Sequence, residues 1–170
     1  MTVCVLNPEG PILVPVDVSK HSEAALVFAM NIAELMDRQV VVMHVVHEPA
    51  AAPGYYRRES SDDARTMDAI AEEMMQNFLT ETQNTCPNID LSKAETKMLD
   101  GIPSRRIVEY ARKINAHMIV MGSHGHRGLK SVILASKARK VMQYAPMPVT
   151  VVKAADFMKK IKKHEAANNA

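Results

Sequence analysis

Three short stretches hold the residue types that bind or react. Pro15-Val16-Asp17-Val18-Ser19 sets a carboxylate beside a hydroxyl, and His44-Val45-Val46 ends an apolar run on an imidazole and two branched side chains. Met121-Gly122-Ser123-His124-Gly125-His126-Arg127-Gly128 gathers three of the chain's 6 glycines. Glycines let backbone N–H groups approach a bound group closely, and the N-terminus of a following helix directs partial positive charge into the same space. An anion is the natural occupant of such a loop, although the same glycines suit a plain strand-to-helix turn. Asp17 suits a ligand hydroxyl, for which it is an acceptor only, and equally suits capping of a helix. The residues alone leave both pairs of readings open.

Other chemistry finds little support. No Ser, His and Asp grouping advertises a nucleophile with its base, so no catalytic residue is expected. A Walker loop fails because Leu129 separates Gly128 from Lys130. Around His44, His47, His124 and His126 no carboxylate or cysteine completes a recognisable ligand spacing, and no metal site is expected. Tyr55, Tyr56, Arg57 and Arg58 lie in an aperiodic stretch that reads as an exposed surface loop.

The elements that must position these stretches alternate between short aliphatic runs and segments with apolar residues three or four apart, the pattern of βαβ units. Strands are predicted at Ile12 to Val16, Val40 to Val46, Leu91 to Met98, Met118 to Met121 and Val149 to Val152. The first helix is predicted from about His21 to Met36, with Ser19 as N-cap and Ala25, Phe28, Ala29, Ile32 and Leu35 as its buried stripe. The second, expected to be the longest, begins near Ser60 with Asp63 completing a capping box and presents Met67, Ile70, Met74 and Phe78 on one face. The third carries Pro103 in its first turn and buries Ile107, Val108, Ala111 and Ile114; the fourth runs from about Leu129 to Tyr144. Right-handed crossovers make 3-2-1-4-5 the most economical strand order. The fold class is therefore α/β, an open five-stranded parallel sheet with helices on both faces. In that order strands one and four are neighbours whose connections leave on opposite faces, opening the crevice where such sheets hold ligands.

At this point the chain resembles the universal stress protein family, whose ATP-binding members carry G-x2-G-x9-G-[ST] after the fourth strand. Gly122 and Gly125 have the required spacing, and Ser136 occupies the hydroxyl position. The surrounding Ile-Val-Met-Gly-Ser-His-Gly and Met-Pro-Val-Thr-Val-Val-Lys agree in kind, and the likeness covers about Pro11 to Lys153. Two positions depart: Ala135 stands where the pattern has its last glycine, and Lys137 where many members have an aliphatic residue. The resemblance implies a Rossmann-like fold of the adenine nucleotide alpha hydrolase kind. It implies adenosine near Asp17 and Val46, with Asp17 accepting from a ribose hydroxyl and the Val46 backbone reading the adenine edge, and phosphates over Gly122, Gly125 and Ser136. Pro15, Val16, Met121, Ala135 and Lys137 complete the implied nucleotide set. The implied ligand is ATP, or ADP or AMP, with Mg2+ accompanying ATP. The implied role is regulatory or signalling, with at most slow hydrolysis. A nucleotide-independent interaction protein is the alternative, favoured by Ala135 and Lys137.

Composition sets the outer bounds. A chain of 170 residues suits one domain, with a core over about 11 to 153 and tails at 1 to 10 and 154 to 170. Hydrophobic residues at 47% and charged residues at 24% point to a globular protein, and the absence of a long apolar run points away from membranes. A net charge of +2 and only 4% aromatic residues argue against nucleic acid. Cys4 and Cys86 are expected as reduced thiols in a cytoplasmic protein. The basic run Lys159-Lys160-Ile161-Lys162-Lys163 reads as the solvated end of a last helix. Val149 to Val152 is an aliphatic edge strand with nothing later in the chain placed to cover it, so a homodimer through that edge is expected.

Overall fold

A computed structural model describes residues 9–47, 66–123, 136–154, 157–159 and 161. The sheet has five parallel strands in the predicted order: β1 (Ile12–Val16), β2 (Val40–Val46), β3 (Ala94–Asp100), β4 (Met118–Gly122) and β5 (Val149–Val152), arranged β3-β2-β1-β4-β5. Between them run α1 (Lys20–Met36), α2 (Met67–Thr85), α3 (Pro103–Lys113) and α4 (Ser136–Tyr144).

Every residue of β1 and β2 is buried, as strands covered on both faces must be. Alternate side chains enter two cores. Ile12, Val14, Val40 and Val42 join Ala25, Leu26 and Ala29 of α1 and Met75 and Phe78 of α2 on one face. Leu13, Val41, Met43 and Ile119 join Ile107, Val108 and Ala111 of α3 and Ala138 and Val141 of α4 on the other.

Several expectations are corrected. The Leu91–Lys93 segment is a 3-10 turn, and β3 begins only at Ala94. The side-chain amide of Gln83 on α2 holds this entry, donating to the Ile89 carbonyl at 2.7 Å and accepting from the Leu91 amide at 3.3 Å. Leu35 is 83% exposed instead of buried, because the covered face of α1 runs through Leu26, Ala29, Met30 and Ala33, and Leu35, two residues past Ala33, falls on the far side of the helix. On α2 the buried residues are Ala71, Met75, Phe78 and Thr82, whereas Met67 is exposed. Thr66 caps this helix, which at 19 residues is the longest among the described ones; Ser60 and Asp63 lie outside the described residues. Pro103 opens α3 as predicted. The start expected for the fourth helix near Leu129 also lies outside the described residues.

The chain after β5 is not simply a solvated end. Ala154, Phe157, Met158 and Ile161 are helical, share a face by their spacing, and pack against the α1 core. The Phe157 ring meets Phe28 edge to face, with centroids 5.6 Å apart. Lys159 remains exposed. Cys86 is buried and forms no disulfide. Among the described residues, no helix is long and apolar enough to cross a membrane.

Candidate functional site

The two seams flanking β1 differ, and the difference makes a crevice. In a parallel strand the N–H and C=O of one residue face the same neighbour, and successive residues face opposite neighbours. The Ile12 amide donates to the Gln39 carbonyl at 2.8 Å, just before β2, while the Pro11 carbonyl accepts from His117 at 2.9 Å, just before β4. Even-numbered residues of β1 therefore face β2, and odd-numbered residues face β4. Pro15 falls on the β4 side and has no N–H to give. The ladder with β4 accordingly comprises only Ile12↔Met118 and Leu13↔Ile119, whereas the ladder with β2 runs on to Val16↔His44. Beyond Leu13, β1 and β4 are unpaired, and the sheet opens toward its carboxyl edge.

The closed seam ends in a side-chain clamp. The His44 imidazole is buried, with Nδ1 2.8 Å from the Val16 carbonyl oxygen. An Nδ1 that carries the proton donates there, adding a side-chain bond to a carbonyl that the ladder with β2 also uses. Burial pushes the His44 pKa below the ordinary histidine value; the Val16 bond and the nearby Asp17 charge oppose that shift, and the Lys137 charge adds to it. His44, Asp17 and Lys137 thus converge at one end of the sheet.

The chain then turns through Asp17 into α1. Ser19 is the predicted N-cap, its hydroxyl accepting from the Ser22 amide at 3.3 Å. Asp17 does not cap the helix itself. Its Oδ1 accepts from the Ser19 and Ser22 hydroxyls at 2.6 Å each, and its amide donates to Ser22 Oγ at 2.9 Å. These three residues form a D-x-S-x-x-S lattice that orients the half-buried carboxylate. Val18 within this turn adopts a left-handed φ of 52°. For a β-branched residue that conformation is costly and persists only where its surroundings impose it.

On the open side, Gly122 ends β4 against α1. A Cβ placed there would lie 2.7 Å from the His21 carbonyl oxygen and 2.8 Å from its carbon. The absent side chain is needed for helix-to-strand clearance, whatever else the loop does. Met121 and Ser123 are buried beside it, and the Ser123 amide donates to the Val152 carbonyl at 2.9 Å. Pro15, Val16 and Val46 are also buried, and the Val46 carbonyl accepts from the Gly101 amide at 3.2 Å, leaving a second lone pair. Lys137 is exposed in the first turn of α4, which Ser136 begins. Gly125, Ala135, His124 and His126 lie outside the described residues.

The structure therefore brings Pro15, Val16, Asp17, Val46, Met121 and Gly122 to one sheet edge, with Lys137 near enough to act on His44. Sequence reasoning missed Ser22 and the clamp by His44. The D-x-S-x-x-S spacing was a readable signal for the first; a buried histidine on an apolar strand gave none for the second.

The universal stress protein family model matches residues 10–153. A universal stress protein of Methanocaldococcus jannaschii is 33% identical over 142 residues, covering 84% of this chain and 81% of its own. Among solved structures, one from Archaeoglobus fulgidus, a universal stress protein in complex with dAMP, is 26% identical with a TM-score of 0.57, covering 85% of this chain and 98% of that one. Universal stress protein UspA from Lactobacillus plantarum has a TM-score of 0.62 at 23% identity, covering 85% and 97%, and shows the shared fold.

Proposed function

Since the chain belongs to the universal stress protein family, we propose that it binds ATP or another adenine nucleotide in the crevice between β1 and β4. It acts as a dimeric cytoplasmic regulatory module in stress response, the whole chain working as one domain, and hydrolyses ATP slowly if at all. The observation that carries the reading is the opened seam with an oriented carboxylate at its mouth. Asp17 accepts from a ribose hydroxyl, and the buried Val46 end offers an apolar seat and backbone acceptor for the base. Gly122, Gly125 and Ser136 take the phosphates, Lys137 supplies a cation beside them, and Mg2+ accompanies ATP. The Archaeoglobus fulgidus relative in complex with dAMP supports an adenine nucleotide as the ligand.

Ala135 limits how far the family pattern carries over. Its methyl group sits where the pattern has glycine and pushes on the outer phosphates, so Ala135→Gly tightens ATP by about 1.4 kcal/mol, or tenfold, and AMP by less. Calorimetric titration of both proteins checks this. The dimer forms through β5, whose Val149-Thr150-Val151-Val152 edge has β4 as its only strand neighbour among the described residues. Light scattering should give twice the 18.8 kDa chain mass, and Val151→Lys should shift it to monomer. A wild-type monomer would refute the dimer. Protein that releases no adenine ligand on denaturation and binds none on titration would favour the nucleotide-independent alternative, to which Ala135 already points.

A further inference from the structure

The nearly balanced net charge of +2 conceals a division across the sheet. α3 and α4, packed side by side on one face, carry seven Lys and Arg residues and one acid, Glu109. Glu109 is paired with Arg105 at 2.7 Å and Arg106 at 3.1 Å. That leaves Arg112, Lys113, Lys137, Arg139 and Lys140, all exposed, with no acidic side chain on either helix to offset them. The Arg112 guanidinium donates to the Tyr144 carbonyl at 3.1 Å, tying the ends of the two helices together into one surface. On the opposite face α2 carries Asp68, Glu72, Glu73 and Glu81 and no Lys or Arg. Asp68, Glu72 and Glu81 are exposed and Glu73 is half-exposed. Among the described residues the cations on that face lie on other elements, Lys20 and Arg38 at the two ends of α1 and Lys153 and Lys159 after β5, with Lys20 near enough for Glu81 to act on it.

Like charges gathered on one face repel one another and add nothing to the fold. Between two copies the same arrangement attracts. We propose that the α3/α4 face docks on the acidic α2 surface of a second copy. The complement is carried by the chain itself, and Lys137 is the one cation of the basic face that the proposed phosphate site also uses. Nucleic acid fits the same face less well: it offers Tyr144 as its one well-exposed aromatic ring, and the acidic surface behind it weakens attraction to a polyanion. The contact joins two different surfaces, so it is heterologous, makes rings or open chains of copies, and adds copies beyond any two-fold pair made by β5. Built from exposed charges, it is screened by salt, unlike an apolar strand edge, because at about 1 M the Debye length falls to about 3 Å.

Sedimentation velocity over a range of protein concentrations, at low salt and at about 1 M salt, tests this. Wild type should grow beyond its high-salt mass at low salt and return when salt is added. Arg139→Glu with Lys140→Glu should abolish the growth, and so should Glu72→Lys with Glu73→Lys, all at surface positions. Mixing the two variants, the first keeping an intact acidic α2 and the second an intact basic α3/α4 face, should restore association into mixed complexes. No salt-sensitive growth in wild type, growth that survives either reversal, or a mixture that stays apart would overturn the proposal. So would a wild type that keeps its high-salt mass while binding a labelled RNA duplex through Arg139 and Lys140.

Discussion

β1 is bordered by one seam that closes and one that opens. Against β2 it pairs to its last residue, and His44 reaches across to take the Val16 carbonyl. Against β4 it pairs at two positions and stops where Pro15 has no hydrogen to offer. A strand in the middle of a sheet is normally bonded on both sides, and proline is normally excluded from it. Here one imino acid frees half the strand on one side while a side chain secures the other. The lesson is that the crevice is part of the hydrogen-bond pattern of the sheet.

The largest expected effect lies on the open seam. Gly122→Ala drives a methyl group into the His21 backbone, which cannot swing aside as a flexible side chain would. We expect a loss of about 3 kcal/mol in unfolding free energy, read by chemical denaturation. A loss near zero would mean that α1 does not seat against β4 as described.

Next comes the mouth of the crevice. Asp17→Ala removes the acceptor for two hydroxyls and for the proposed ribose, and should weaken ATP and AMP equally, by about 2 kcal/mol. Asp17→Asn, which keeps a carbonyl acceptor, should retain part of that affinity. Unchanged affinity in Asp17→Ala, with an intact fold by circular dichroism, would reduce Asp17 to an organiser of the α1 entry.

The smallest effect tests the closed seam. His44→Leu removes the side-chain bond to the Val16 carbonyl, which keeps its place in the ladder with β2, at a cost of about 1 kcal/mol, and His44→Asn, with a donor near the Nδ1 position, should recover some of it. Because burial lowers the His44 pKa, the folded protein binds this proton more weakly than the unfolded chain does. The unfolded state therefore takes up protons first as pH falls, and stability present above the ordinary value of 6.5 is lost below it. Wild type should lose more stability than His44→Asn between neutral pH and pH values below that point. Parallel curves would show that His44 is not held neutral.

The sheet was legible because β1, β2 and the middle of β4 are buried on both faces and read as continuous aliphatic runs, and Ser19 and Pro103 marked helix starts by local chemistry. Errors arose where a distant residue decides. Gln83 delays the start of β3, and Phe28 on α1 helps recruit the segment after β5 into the core. Asp17 was legible as an acceptor and the D-x-S-x-x-S spacing signalled its partners, but the left-handed Val18 was not legible, since no local propensity favours that conformation for a β-branched residue. Pro15 was visible in the sequence, yet its effect depends on which neighbour it faces, and strand register decides that.

The central claim is that the opened seam holds an adenine nucleotide, and calorimetric titration of the wild-type protein with ATP and AMP, repeated on Asp17→Ala, tests it most directly. The account predicts saturable binding of both ligands with one site per chain, and a matching loss for both in the variant. No heat of binding for either ligand, at protein concentrations where the fold is intact, would contradict it.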